Sequence, residues 1–243
     1  MYNQIVNGDC LQHLKTIPDN TFDICFTSPP YGDTGKREED SHKKYLTEEK
    51  FVKEKWLEWQ IQVIDECLRV CKKYIIYNVG AIKENRSNVY KLIGHYADRI
   101  HDDIIWYKPN GQPSVTPNVI NNTYEHILLI KKDKNLQIKT STDSIKCFRN
   151  VVVFNVNTNN PYSDIHSAIM PQVLSDMMIN SLTNKEDFIL EPFLGLGTTA
   201  ISCIKYGRKY YGIELCKEYF DIASRRISDA QIEKNSEFDF MEE

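Results

Sequence analysis

The 243-residue chain is short of the features that would fix its class at a glance. No apolar run approaches the roughly 18 residues needed to span a bilayer. The opening Met1-Tyr2-Asn3-Gln4-Ile5-Val6-Asn7-Gly8-Asp9 has neither the basic start nor the apolar core of a secretion signal. No internal repeat occurs, and no Gly-Lys-Ser/Thr, which argues against a P-loop. The seven cysteines contain no C-x-x-C pair, so no zinc-ligand spacing exists. They are an odd number scattered through apolar segments: Cys67 and Cys71 are one helical turn apart, and Cys10, Cys25 and Cys203 adjoin expected strands or helices. This is the pattern of thiols packed as small hydrophobes in a reduced, cytoplasmic protein. His13, His42, His95, His101 and His126 form no spacing that suits a metal or acid–base chemistry.

Positive charge is also lacking overall, the formal net charge being −4. From Glu233 onward, however, Glu233, Glu237, Asp239, Glu242 and Glu243 stand against Lys234 alone, and this acidic tail, expected to be disordered, accounts for the whole excess. The remainder is formally neutral. Within it, Lys131, Lys132, Lys134, Lys139, Lys146 and Arg149 outnumber Asp133 and Asp143, a local net charge of +4. Such a patch suits a polyanion, or is merely a solvated surface.

Prolines are few, but two adjoin. Thr27-Ser28-Pro29-Pro30-Tyr31 follows the apolar run Phe22-Asp23-Ile24-Cys25-Phe26, where a strand should end. Each proline lacks an N–H and pushes the preceding residue into an extended conformation. The turn is therefore stiff, with exposed carbonyls, a serine hydroxyl and few competing donors. With an aromatic ring beside it, such a turn suits a planar ring carrying an exocyclic NH2, which needs acceptors and a stacking surface. The same residues are compatible with an ordinary strand-ending loop or a ligand for a small peptide-binding module.

A second constellation lies near the other end. The buried-strand pattern Asp187-Phe188-Ile189-Leu190 runs into Glu191-Pro192-Phe193-Leu194-Gly195-Leu196-Gly197-Thr198-Thr199-Ala200. A helix-compatible stretch follows, then a strand at Tyr210-Tyr211-Gly212-Ile213 ending in Glu214. Glycines at a strand-to-helix turn let a cofactor approach the backbone, and an acid at the next strand tip can accept from both ribose hydroxyls. Gly195-x-Gly197-x-x-Ala200 alone would also admit NAD or FAD, and an oxidoreductase is the remote alternative; it leaves the Ser-Pro-Pro-Tyr turn without a purpose.

Taken together, these segments resemble the S-adenosylmethionine-dependent amino-methyltransferases that modify exocyclic amines in DNA, and the resemblance covers most of the chain. Asn7-Gly8-Asp9-Cys10 resembles the family's acidic cofactor-contact segment, and Thr27 to Tyr31 its catalytic motif. Ile104-Ile105-Trp106-Tyr107-Lys108-Pro109-Asn110 is similar to the strand and loop that help hold the extruded base. His166-Ser167-Ala168-Ile169-Met170-Pro171 resembles the segment opening the helix over the cofactor, and Glu191 to Thr199 the main cofactor loop. With the catalytic motif N-terminal and the cofactor loop C-terminal, the order is the circularly permuted one of the β class.

The resemblance implies a Rossmann-like α/β fold: a mostly parallel seven-stranded sheet with one antiparallel strand and helices on both faces. A single catalytic domain would fill residues 1–243, with a small target-recognition insert at about 131–160. It implies catalysis by Ser28, Pro29, Pro30 and Tyr31. It implies cofactor contacts from Asp9, Cys10, His166, Ser167, Ala168, Glu191, Pro192, Phe193, Gly195, Gly197, Thr198, Thr199, Glu214 and Leu215, although His166 also fits a capping or core histidine. DNA contacts are expected from Lys36 and Arg37 in the polar segment 32–50, from Lys108 and Asn110, and from Lys131, Lys132, Lys134, Lys139, Lys146 and Arg149. Partners would be double-stranded DNA and, in a restriction–modification setting, a cognate endonuclease or second methylase; a homodimer is compatible. Enzymes of this family acting on adenine N6 usually carry Asp or Asn where Ser28 stands, while Ser is typical of those acting on cytosine N4. Cytosine N4 is therefore the expected target, with adenine N6 as the alternative. RNA or protein-amide methylation, and a non-catalytic DNA-binding relative, are further alternatives.

Periodicity supplies the remaining expectations. Trp56, Trp59, Val63, Ile64, Cys67, Leu68 and Cys71 recur at helical spacing and predict a core-facing helix. Strands are predicted at Ile5-Val6, Tyr74–Val79, Ile104–Trp106 and His126–Ile130, with a short one near Val151–Val156. Pro171 should open a helix whose Val173, Leu174, Met177, Met178 and Leu182 face inward.

Overall fold

The computed structural model describes residues 1–31, 53–82, 85–111, 120, 122–140, 148–156, 162 and 169–239. Among these, eight strands form one sheet: β1 (Gln4–Asn7), β2 (Phe22–Thr27), β3 (Cys71–Val79), β4 (Ile100–Tyr107), β5 (Tyr124–Lys131), β6 (Val151–Val153), β7 (Phe188–Glu191) and β8 (Lys209–Glu214). Their order is β1-β8-β7-β2-β3-β5-β4-β6. β5 runs antiparallel to both β3 and β4, and every other registered pair is parallel. The strands expected from the sequence are present, and the short one near Val151–Val156, observed as β6, makes the sheet eight-stranded rather than seven-stranded.

Alternation along the strands explains the two cores. In β3, Ile75, Tyr77 and Val79 face one side, while Tyr74 and Ile76 face the other. The first side is covered by α1 (Cys10–Thr16), α2 (Lys53–Val70) and α3 (Arg86–His95). There Trp56, Val63, Ile64 and Cys67 of the predicted stripe are almost fully buried. The second side is covered by α4 (Gln172–Leu182), α5 (Thr198–Tyr206) and α6 (Lys217–Asp239), through Leu174, Met178, Ala200, Cys203, Ala223 and Ile227. Helices on both faces require the strands to be apolar throughout, as in β7, where all four residues are buried.

The chain winds outward in opposite directions from the middle of this sheet. From β2 it passes through α2 to β3; from β7 it passes through α5 to β8 on the other side. The β2–β7 boundary is therefore a topological switch point, and a crevice belongs outside the carboxyl ends of those two strands. Both sequence constellations begin there, one after Thr27 and the other at Glu191.

Several expectations are corrected. Val173 is 52% exposed, since the apolar residues that α4 turns fully into the core are Leu174, Met178, Ile179 and Leu182. The acidic tail continues α6 as far as Asp239 rather than fraying at Glu233. Gln231 Nε2 donates to the Tyr210 hydroxyl at 3.1 Å, and Lys234 Nζ donates to the Ile204 carbonyl, so this stretch is anchored on β8 and α5. The start of the basic patch lies at the wrong end of the sheet for a DNA surface beside the crevice. Because β5 is antiparallel, six residues carry the chain from Glu125, at the crevice end, to Lys131, a displacement of roughly 20 Å. Lys131 is buried and donates to the Lys134 carbonyl. Lys132 donates to Asn20 Oδ1 and to the Arg69 and Cys71 carbonyls, and Lys134 pairs with Asp98 at 2.9 Å.

Candidate active site

The Ser-Pro-Pro-Tyr corner is fixed from outside by side chains of the helical layer. The Pro30 carbonyl accepts from Trp56 Nε1 at 2.9 Å and from Gln60 Nε2 at 3.3 Å. Gln60 is held in turn by the Tyr77 hydroxyl, which donates to its Oε1 at 2.6 Å. Asn85, preceding α3, donates to the Tyr31 carbonyl at 2.7 Å. With these groups occupied, the Ser28 hydroxyl and the Pro29 carbonyl are the corner's remaining acceptors; the latter has no donor among the described residues.

The Tyr31 side chain is as tightly placed. Its ring lies against Gly80, where an added Cβ would sit 3.0 Å from Cε2, so a larger residue there would displace the ring. Its hydroxyl donates to Glu125 Oε2 at 2.8 Å and lies 3.1 Å from Ser28 Oγ. Asn78 Nδ2 reaches three oxygens: the Tyr31 hydroxyl at 2.8 Å, Glu125 Oε2 at 2.9 Å and Ser28 Oγ at 3.2 Å. Lys108 Nζ closes the cluster on Glu125 Oε1 at 2.7 Å, and it also lies 5.4 Å from the Trp106 ring centroid. Burial, then the Glu125 charge, pushes the Tyr31 phenol well above its ordinary pKa, so it keeps its proton.

On the other side of the crevice, Glu191 joins the corner to the glycine loop. Its Oε1 accepts from Thr27 Oγ1 at 2.7 Å and from the Phe193 N–H at 3.1 Å, and its Oε2 accepts from Thr199 Oγ1 at 2.9 Å. Burial outweighs these three donors and pushes the carboxyl up to about 8. The loop then turns with Gly195 at φ 53° and Gly197 at φ 85°. The second value opens α5 in a conformation that a side chain would strain, and a Cβ at Gly197 would also press on Ile227 at 3.3 Å. The Phe193 ring packs edge-on against Trp59 at 5.5 Å, so this loop is supported by the same helix that holds Pro30.

Glu214 ends β8 beneath that loop and is only 3% exposed. Its Oε2 accepts from the Gly195 N–H at 2.8 Å and its Oε1 from the Cys216 N–H at 2.7 Å. A carboxylate offers about four acceptor positions, so Glu214 can also accept from a ribose hydroxyl. Burial pushes Glu214 up to about 7, an environment in which further donors would favour the charged form. Asn7 Nδ2 donates to the Glu214 and Leu215 carbonyls at 2.7 and 3.1 Å, bringing Asp9 and Cys10 alongside. Asp9 caps α1 through Gln12 N at 3.0 Å. This donor and acceptor set fits an adenosyl group, with Glu214 on the ribose and the Phe193–Gly197 backbone beneath it.

The structure thus brings together Ser28 to Tyr31, Glu191 to Thr199, Glu214, Leu215, Asp9 and Cys10. Lys36, Arg37, Lys146, His166, Ser167 and Ala168 lie outside the described residues. Lys108 pairs with Glu125. Asn110 holds Val156 through two hydrogen bonds, Asn110 Nδ2 to its carbonyl at 3.2 Å and its N–H to Asn110 Oδ1 at 2.7 Å. Lys139 and Arg149 are exposed. Two residues absent from the expectations, Asn78 and Glu125, complete the cluster. Their signal was a polar residue at the crevice end of an otherwise apolar strand.

A mixed Rossmann-like sheet whose Ser-Pro-Pro-Tyr corner and glycine loop meet at its switch point is the arrangement of enzymes that transfer a group from a bound cofactor to a nucleophile. The chain belongs to the DNA methylase family of N6 and N4 amino-methyltransferases, whose profile matches residues 22–225. It is 27% identical over 271 aligned positions to the type II methyltransferase M.BglII of Bacillus subtilis, covering 96% of this chain and 71% of that protein. Among solved structures, it superposes on the PvuII DNA methyltransferase (cytosine-N4-specific) with TM-score 0.70 and 18% identity, over 95% of this chain and 92% of that one. It superposes on M1.HpyAVI in complex with S-adenosylmethionine with TM-score 0.64 and 22% identity, over 92% and 98% of the two chains. These superpositions establish a shared fold.

Proposed function

We propose that the chain transfers a methyl group from S-adenosylmethionine to N4 of a cytosine extruded from double-stranded DNA at a specific site. The observation that carries the choice of base is the residue at the catalytic corner: Ser28 presents a hydroxyl where adenine-directed relatives usually carry a carboxylate or amide. S-adenosylmethionine supplies an electrophilic methyl on a sulfonium. Glu214 binds the ribose hydroxyls, Gly195 and Gly197 let the loop run close beneath, and Asp9 and Cys10 flank the adenine. The amine lone pair is delocalised into the base and is a poor nucleophile. Ser28 Oγ and the Pro29 carbonyl accept the amine hydrogens and favour pyramidalisation, which localises that pair on nitrogen. Tyr31 stacks on the base, since the target nitrogen cannot be reached inside the duplex. The Thr27–Glu191 bond keeps the corner and the cofactor loop at fixed separation, and such positioning supplies much of the acceleration.

Transfer of tritiated methyl to DNA, followed by nucleoside mass spectrometry, tests this. N4-methylcytosine is the expected product. N6-methyladenine would overturn the base assignment, and incorporation into RNA but not DNA would overturn the substrate. Ser28→Ala should keep S-adenosylhomocysteine affinity by calorimetry while single-turnover transfer falls about 100-fold; an unchanged rate would remove Ser28 from the chemistry.

A further inference from the structure

The Ser28–Tyr31–Glu125 cluster has a fixed proton direction. As a carboxylate paired with Lys108, Glu125 can only accept. The single Tyr31 proton therefore goes to Glu125 Oε2, at 2.8 Å, and the Tyr31 oxygen is left as an acceptor. One of its donors is Asn78 Nδ2 at 2.8 Å; the other is the Ser28 hydroxyl at 3.1 Å. Ser28 thus directs its hydrogen inward and its remaining lone pair outward. Asn78, which is 2% exposed, is held with its NH2 on this side by Glu125 Oε2 at 2.9 Å, where an amide oxygen would be repelled, and so it donates to the same oxygens.

We infer that Ser28, Tyr31 and Glu125 form a relay that takes the proton released by the methylated amine, with Glu125 as its remote terminus. This rests on the role proposed above for Ser28. The nitrogen pair forms the N–CH3 bond as the S–CH3 bond breaks, its electrons staying on sulfur, which becomes a neutral thioether. As positive charge builds on nitrogen in that same step, its N–H proton passes to Ser28 Oγ, so the relay bears on the transfer rate itself. The Ser28 proton moves to the Tyr31 oxygen and the Tyr31 proton to Glu125 Oε2. Both hydroxyls are regenerated, no phenolate forms, and Glu125 ends neutral beside Lys108. The proton then passes from Glu125 to water. Glu125 touches neither base nor cofactor and acts through Tyr31, so it is a positioning and proton-accepting residue.

Single-turnover methyl transfer measured against pH tests the relay, with Glu125→Gln, Glu125→Asp and Tyr31→Phe beside the unsubstituted chain. Glutamine can still accept from Tyr31 but cannot take its proton. Glu125→Gln should therefore lose about 100-fold in rate and lose the acid limb of the pH profile, with S-adenosylhomocysteine affinity changed by no more than about two-fold. Glu125→Asp should recover part of the rate. Tyr31→Phe keeps the ring against Gly80, should lose a similar factor, and carries the test if the glutamine variant does not fold; the double variant should fall no further. A Glu125→Gln or Tyr31→Phe rate within about three-fold of the unsubstituted chain, or an unaltered acid limb, overturns the relay alone. No transfer to DNA by the unsubstituted chain overturns the relay together with the function it rests on.

Discussion

At the scale of single residues, Glu191 shows most directly how the fold trades charge for placement. It is 5% exposed and holds three donors, from β2, the glycine loop and α5, yet burial still pushes it up to about 8. The folded chain therefore holds a proton there that the unfolded chain releases near its ordinary value of 4.5. Between these values the native state binds more protons, so stability falls as pH rises from about 4.5 towards about 8. Glu214, pushed up to about 7, contributes with the same sign. Glu191→Gln mimics the protonated form: it keeps an acceptor for the Phe193 N–H and gains a donor for Thr199. Thermal melts of the ligand-free variant should show a shallower decline between pH 5 and 8, with a gain at pH 8 on the order of a few kcal/mol. A decline as steep as that of the unsubstituted chain would show that Glu191 is ionised in the fold.

Elements decided what could be recognised in advance. The corner and the glycine loop are each contiguous in sequence, so Ser28 to Tyr31 and Gly195 to Thr199 declare themselves without any tertiary contact. Asn78, Lys108 and Glu125 come from β3, the turn after β4 and the start of β5, and meet only through strand pairing. Periodicity marked those strands correctly but assigned no partners, and β5 direction was invisible to a sum of charges. Summed along the chain the basic run is a patch, whereas its first members, Lys131, Lys132 and Lys134, lie at the far end of antiparallel β5 and hold neighbouring carbonyls and Asp98 there. Lys132→Met should then cost about 1 kcal/mol in urea unfolding, because Asn20 Oδ1 and the Arg69 and Cys71 carbonyls lose a shared charged donor. DNA affinity and its salt slope should not change. A slope reduced by about one ion would mean that Lys132 contacts phosphate after all.

At the scale of the whole molecule, the sheet is two halves joined along β2 and β7, where only Ile24–Ile189 and Cys25–Leu190 are in register. One half carries the cofactor loop and Glu214, the other the corner and the Glu125 cluster, with Thr27–Glu191 crossing at the top. A ligand seated in the first half therefore bears on strands at the centre of the sheet, and its binding energy should appear as global stability. With S-adenosylhomocysteine at 100 times its dissociation constant, the gain is about 2.7 kcal/mol. For a chain of 243 residues this raises the melting temperature by roughly 5–10 °C. Glu214→Ala should abolish most of that increment at the same ligand concentration. It removes the diol's acceptors, and it relieves a buried carboxyl already pushed up to about 7, so the ligand-free fold should survive. NADH at matched concentration should produce no shift, because the oxidoreductase alternative is the one that would reverse these two ligands. A Glu214→Ala protein that still gains the full increment would place the ribose elsewhere in the crevice and remove the assignment of β8 as its anchor.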